Sequence, residues 1–154
     1  MRLLVAGSRF YPPSERPMVF GIFNQVWSEW HDSKEADDTE FHVIAGHSVV
    51  KNKVPIGPDW WAEQWTKTYA YLGVTGTFIS IDDVGGWDAY PGKKAAYVRN
   101  VKLAEQRPTH ALFFWDGKSS GTMLMLDIIN KVKPRVRRRL ITPGMAFGNQ
   151  LEWD

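Results

Sequence analysis

The chain has 154 residues, no cysteine and a formal net charge of +2. A chain of this length can bury about two-thirds of its unfolded surface in one domain, so it needs no disulfide, and none can form. The small net charge does not by itself indicate a polyanionic partner. The first apolar run is too short for a signal peptide, no segment is long enough to span a bilayer, and the four histidines lack metal-ligand spacing. We therefore expect one cytoplasmic domain over residues 1–154, with no membrane partner, metal or cofactor.

Short apolar runs alternate with segments in which apolar residues recur every three or four positions, the patterns of buried strands and amphipathic helices. They predict a strand at 3–6, a helix at 14–30, a strand at 41–45, a helix at 59–72, a strand at 74–79, a helix at 93–104, a strand at 110–115, a helix at 122–132, a strand at 136–142 and a tail at 143–154. Asp59 is the expected N-cap of the second helix. This alternation is typical of an α/β fold: a Rossmann-like, doubly wound parallel sheet of about five strands with helices on both faces.

Polar loops that contain glycine follow three predicted strands: Gly7-Ser8-Arg9, Gly46-His47 and residues 116–122. In doubly wound sheets, ligands bind beyond the carboxyl ends of the strands. The third loop opens a helix, whose unpaired N–H groups and positive dipole end suit a phosphate. Lys118, Ser119, Ser120 and Thr122 add donors. An ordinary turn capped by a serine is the alternative, and neither a Walker A motif nor GxGxxG is present.

Several charged side chains near these loops have both a functional and a plain interpretation. Arg9 and Arg99 could grip phosphate through two N–H groups each, or form surface salt bridges. Asp116 could accept a ribose hydroxyl or act as a general acid or base, or simply shape a turn. Glu63, one turn into the second helix, is the other candidate catalytic carboxylate and could pair with Asp116. His47 could contact phosphate or be solvated.

A cationic segment near the end of the chain indicates a different partner. It consists of Lys131, Lys133, Arg135, Arg137, Arg138 and Arg139. These side chains could follow a nucleic-acid backbone, and binding would then weaken with salt. Because alternate residues of a strand point to opposite sides, only some of them could meet one row of phosphates.

Four motifs occur in order: VAGSR, IAGH followed by GPDWWAEQW, YPGKKAAYVRN and FFWDGKSSGT. Together they resemble the YspA-type branch of the SLOG superfamily, to which the Lonely-guy phosphoribohydrolases and the DprA DNA-processing proteins are related. The resemblance covers most of residues 1–142. It implies a Rossmann-like fold that binds a nucleotide or nucleotide-derived ligand at the strand ends. The residues that it implies for this site are Gly7, Ser8, Arg9, Gly46, Asp59, Arg99, Asn100, Gly117, Ser119, Ser120, Gly121 and Thr122.

Two departures from that pattern bear on activity. The Lonely-guy enzymes carry a catalytic glutamate three positions after the threonine of their glycine-rich motif, where this chain has Met125. A methionine cannot transfer a proton, so the resemblance does not extend to phosphoribohydrolase chemistry. Residues 48–56 are an insertion that could form a lid or an interface.

The sequence therefore predicts a sensor or sequestering protein for an ADP-ribose-like or cyclic nucleotide. One alternative is a hydrolase of an N-glycosidic or phosphoester bond that uses Asp116 or Glu63, and a second is DprA-like nucleic-acid binding. The relatives, and the apolar helix face between Val19 and Trp30, favour a homo-oligomer, although that face could also belong to the core.

Overall fold

The computed structural model describes residues 1–34, 37–47, 56–92, 94–145 and 152–154. Its strands and longer helices are β1 (Arg2–Gly7), α1 (Arg16–Ser33), β2 (His42–Gly46), α2 (Pro58–Thr68), β3 (Thr75–Ile79), α3 (Lys94–Ala104), β4 (His110–Phe114), α4 (Ser120–Asn130) and β5 (Arg137–Ile141). The predicted order of strands and helices is confirmed. Short 3-10 turns lie in the loop between β3 and α3, at 82–84 and 87–89.

The five strands form one parallel sheet in the order β3-β2-β1-β4-β5. Alternate residues of β1 belong to two separate apolar clusters, because successive strand side chains point to opposite faces. Leu3 and Val5 pack with α1 and α2, whereas Leu4 and Ala6 pack with α3 and α4. Helices therefore cover both faces, and the doubly wound α/β fold is confirmed.

The strand order reverses between β1 and β4. The N–H of Ser8 donates to the carbonyl of Phe114 at 3.1 Å, so the chain leaves both strands side by side. Loops that diverge at such a reversal leave a crevice beyond the strand ends, which is where doubly wound folds bind ligands. The loops after β1 and β4 are thus neighbours, as the site prediction required.

The apolar face of α1 lies in the core. Val19, Ile22, Phe23 and Val26 are almost completely buried, and Trp30 is 9% exposed. Their packing against the sheet accounts for the aromatic content of this helix. This face therefore offers no surface to a second copy, and the homo-oligomer stays a prediction that rests on the resemblance alone.

The last three residues pack against the edge strand. Arg138 and Asp154 exchange two backbone hydrogen bonds, of 3.3 and 2.9 Å. The ring of Trp153 meets His110 edge to face at 4.8 Å. The end of the predicted tail is thus an added partner for β5. Within the described ranges, none of the helices combines the length and apolar character needed to cross a membrane.

Candidate functional site

Gly46, Asp59 and Arg99 come together at the carboxyl end of β2. A Cβ atom on Gly46 would lie 2.8 Å from Nη1 of Arg99 and 2.9 Å from Oδ2 of Asp59. A side chain at this position would displace the ends of both groups. Three residues that are far apart in the sequence are therefore brought to one place.

The side chains of Asp59 and Arg99 each keep one hydrogen-bonding atom without a partner. Oδ1 of Asp59 and Nε of Arg99 are buried and have no hydrogen-bond partner. No direct ion pair joins the two side chains, although each lies within 3 Å of the same point above Gly46. Buried polar atoms are seldom left unpaired, since each one costs about 1–3 kcal/mol. A group that accepts from Arg99 and donates to Asp59 would complete this arrangement.

Asp59 is not the N-cap that we expected. Gly57 precedes the first residue of α2, and Pro58 occupies the first position, where its fixed φ suits a helix and its missing N–H costs nothing. Asp59 therefore lies within the first turn. A Cβ on Gly7 would come within 2.5 Å of the Pro58 ring, so Gly7 is needed for α2 to approach β1 so closely.

The carboxyl of Asp59 has unusual electrostatics. Burial raises its pKa to about 6, against the opposing effects of the Arg99 guanidinium, a hydrogen bond from the Gly7 N–H, and Arg9. Burial prevails because an ionised carboxylate loses much of its hydration there. The raised pKa places the protonation of Asp59 near pH 6, which the sequence did not predict.

Asn100 lies beside this group on α3. It is buried, and its Oδ1 accepts a hydrogen bond from Nη2 of Arg99 at 3.4 Å. This contact orients the guanidinium towards β2. Arg99 and Asn100 were both predicted from the resemblance, and the structure places both at the strand ends.

Ser8 and Asp116 join the two loops at the sheet reversal. The buried Ser8 donates from Oγ to Oδ2 of Asp116 at 2.9 Å. Oδ1 of Asp116 accepts from the N–H groups of Lys118 and Ser119, at 3.0 and 2.7 Å. Burial would raise the pKa of Asp116, but these N–H groups and the Ser8 hydroxyl lower it overall. Both oxygens of the ionised Asp116 carboxylate thus accept hydrogen bonds that hold the two loops together. The geometry favours this structural role over that of a general acid.

The loop that opens α4 retains fewer donors for a phosphate than its sequence predicts. Gly117 has a φ of +86°, a conformation that L side chains rarely adopt, and this brings the next two N–H groups onto Asp116. The N–H groups of the first turn of α4, from Ser120 to Thr122, have no partner within the helix. Ser120 and Gly121 are exposed, whereas Thr122 is buried. A phosphate here would bind at this first turn.

Glu63 pairs with His47, and not with Asp116. Nδ1 of His47 lies 3.0 Å from both carboxylate oxygens of Glu63. The Glu63 side chain is 7% exposed and that of His47 is 36% exposed, so a buried carboxylate holds a half-open imidazole. Asp59 and Glu63 are four residues apart on α2, which places them on one face towards the end of β2. This spacing of four residues is the sequence signal from which the position of Glu63 beside Asp59, at the end of β2, could have been inferred.

Met125 packs into the apolar cluster between the sheet and α4 and is 2% exposed. The residue that takes the place of the Lonely-guy glutamate therefore faces the core and not the strand ends. Of the inserted residues, 48–55 lie outside the described part of the chain, so the predicted lid or interface there stays a prediction.

The cationic segment is separated from this site. It runs from the end of α4 into the start of β5. It therefore lies towards the amino-terminal ends of the strands, on the side of the sheet opposite the carboxyl ends. The exposed members of the segment are Lys131, Lys133, Arg135 and Arg137. A nucleic acid bound there would lie away from the carboxyl ends of β1 and β4. In the described ranges, no group of three or more acidic or histidine side chains could hold a metal ion.

The fold and these contacts define a Rossmann-like α/β domain with a polar, charged site at the carboxyl ends of its strands. Comparison with protein-family models, curated proteins and solved structures finds no match to the chain.

Proposed function

We propose that this domain binds a nucleotide or nucleotide-derived ligand, such as an ADP-ribose-like or cyclic nucleotide, in the cytoplasm as a sensor or sequestering protein. The observation that carries the proposal is that Asp59 and Arg99 each bury a polar atom without a partner, Oδ1 and Nε, while Oδ2 and Nη1 of the same side chains lie within 3 Å of one point above Gly46. A phosphorylated sugar supplies both an acceptor for Arg99 and a donor for Asp59. Its phosphate oxygens accept from a guanidinium, and its hydroxyls donate to a carboxylate.

Neighbouring donors add to this support. Arg9 is exposed on the loop after β1, and the first-turn N–H groups of α4 open at the adjacent strand. Cationic groups and unpaired N–H groups are therefore available on neighbouring loops at the same strand ends. This arrangement favours an anion with more than one polar part over a single inorganic ion.

A hydrolase is the second candidate, and the pair formed by His47 and Glu63 favours it. A carboxylate that accepts from Nδ1–H leaves Nε2 with a lone pair, the form in which histidine accepts a proton from water. Nε2 of His47 makes no hydrogen bond to the described residues. His47 follows Gly46 directly, so this base stands at the border of the proposed site.

A thermal-shift screen tests the proposal. AMP, ADP-ribose, cyclic AMP and a short single-stranded DNA are each added at two salt concentrations. A ligand at 100 times its dissociation constant stabilises the native state by about 2.7 kcal/mol, which raises the Tm of a chain of this size by roughly 5–10 °C. If no nucleotide shifts the Tm, the proposal fails. A response to DNA alone that disappears at high salt would favour the cationic segment instead.

The ligands that bind are then incubated with the protein and analysed for released base or phosphate. Binding without product formation supports a sensor or sequestering protein and excludes the hydrolase. Product formation supports the hydrolase and excludes a role restricted to binding.

The variant Gly46→Ala is expected to weaken nucleotide binding about tenfold, or 1.4 kcal/mol. The new methyl group would lie within 3 Å of two side-chain ends, which must move apart. Because both ends are flexible, stability should change by less than affinity. Titration calorimetry and urea unfolding measure the two quantities.

The matched control is Gly21→Ala on α1, where an added Cβ meets nothing within 4 Å. It should stabilise the helix by about 0.5–1 kcal/mol and leave binding unchanged. Equal affinities of Gly46→Ala and the wild type would show that the space above Gly46 is not part of the site.

A further inference from the structure

The loop after β1 forms a tight turn from Ser8 to Tyr11. The N–H of Tyr11 donates to the Ser8 carbonyl at 3.1 Å, and the N–H of Phe10 donates to Oγ of Ser8 at 3.2 Å. Arg9 and Phe10 therefore occupy the corner of the turn, held by hydrogen bonds on its inner side. The position of Phe10 is set by the backbone and not by packing of its own ring.

The two aromatic residues of this turn face opposite environments. Tyr11 is 2% exposed, and its ring meets Phe114 and Trp61 edge to face, at 5.7 and 6.4 Å. Phe10 is 80% exposed, more than any other large hydrophobic residue in the described part of the chain. The turn thus anchors one ring in the core and presents the next one to solvent. The exposed phenyl ring on this anchored turn is therefore free to stack against a ligand.

The exposed ring stands at the border of the proposed site. The Ser8 hydroxyl that accepts from Phe10 also donates to Asp116 on the neighbouring loop. A Cβ on Gly57 would lie 3.4 Å from Cα of Arg9, so the corner of the turn abuts the start of α2. The Arg9 guanidinium is near enough to lower the pKa of Asp59. The ring and the cations of the crevice therefore lie at the same strand ends.

We infer that Phe10 is the stacking surface for the base of the bound nucleotide, and this inference rests on the proposed function. An aromatic ring stacks on any base through its π face, whereas the phosphate contacts of Arg9 and Arg99 do not distinguish one phosphorylated sugar from another. Phe10 thus makes the site selective for a phosphate ester that carries a flat ring over the same ester without one.

The test compares the affinities of AMP and ribose 5-phosphate, which differ only by the base, in the wild type and in Phe10→Ala. The wild type should prefer AMP by about 5- to 150-fold, the range of stacking on one aromatic side chain. In Phe10→Ala most of this preference should disappear, while the affinity for ribose 5-phosphate stays the same. Phe10→Trp should keep the preference, because it retains a π face.

Tyr71→Ala is the matched control. Tyr71 is 78% exposed and lies between α2 and β3, towards the amino-terminal ends of the strands. Because this is the side of the sheet opposite the proposed site, its loss should change neither affinity. The inference is overturned if Phe10→Ala keeps the preference for AMP or weakens both ligands equally. If the wild type binds neither ligand, the inference fails, and the proposed function fails as well only if ADP-ribose and cyclic AMP also give no thermal shift. Unaltered thermal unfolding of Phe10→Ala confirms that the comparison concerns a folded protein.

Discussion

Replacing Arg99 with alanine is expected to weaken binding of a phosphorylated nucleotide by about 10- to 150-fold. This range corresponds to the 1.5–3 kcal/mol of a hydrogen bond to a charged group. The same change should destabilise the fold by about 1–3 kcal/mol, because Asp59 loses its main electrostatic compensation and becomes harder to ionise. Removing one partner of a direct buried ion pair costs more, about 3–5 kcal/mol, but no direct pair exists here.

Two further variants separate the contributions of Arg99. Arg99→Lys keeps the charge without the planar fork, so it should retain most of the stability and lose most of the affinity. Arg135→Ala removes an exposed arginine at the opposite edge of the sheet and should change neither quantity. Titration calorimetry with the nucleotide that gives the largest thermal shift, together with urea unfolding, provides both measurements. An Arg99→Ala protein that is folded and binds as tightly as the wild type would remove Arg99 from the site.

Asp59→Asn is expected to stabilise the protein by about 2 kcal/mol at pH 8, while it weakens nucleotide binding about tenfold. The folded-state pKa of about 6 lies above the usual value of 3.8, so the folded chain holds this proton more tightly than the unfolded chain does. The contribution of Asp59 to stability is therefore most favourable below pH 4, and it decreases as the pH rises from 3.8 to 6. Each pKa unit corresponds to 1.36 kcal/mol. Because the residue as a whole is only half-buried although its Oδ1 atom is fully buried, water offsets part of the total.

The pH dependence of this effect provides the check. Urea unfolding of both proteins at pH 8 and pH 4.5 should show a smaller difference at the lower pH, where the wild-type carboxyl is mostly protonated when folded. Asp88→Asn, at an exposed position in the loop before α3, should lie within about 0.5 kcal/mol of the wild type at both values. A destabilised Asp59→Asn protein at pH 8 would contradict the raised pKa.

If Asp59→Asn gains stability and loses nucleotide binding, Asp59 contributes to ligand binding at a cost in stability. Residues of functional sites often cost stability, because they keep charges and donors where a ligand and not the protein completes them. Asp59 and Arg99 fit this description, since each buries a polar atom without a partner. His47 and Glu63, by contrast, satisfy each other within the protein.

Periodicity in the sequence was enough to predict the fold. Continuous apolar runs such as residues 3–6 and 110–115 are typical of strands buried on both faces, and the spacing of apolar residues in α1 is that of a helix with one buried side. The parallel sheet and the reversal of strand order follow from the alternation of strands and helices. The loops with glycine after β1, β2 and β4 indicated the strand ends at which the candidate site is expected, because parallel strands end on the same side.

The tertiary structure alone decided how the site residues pair. Sequence spacing does not show that Ser8 would bind Asp116 across 108 positions, or that His47, and not Asp116, would meet Glu63. Nor does it show which of two adjacent aromatics, Phe10 or Tyr11, turns outward, since a tight turn can present either. These outcomes depend on contacts between distant segments and on the burial that those contacts create. The sequence by itself determined the architecture and the strand ends at which a site is expected, because both follow from local patterns. Which side chains meet at those strand ends was decided by packing.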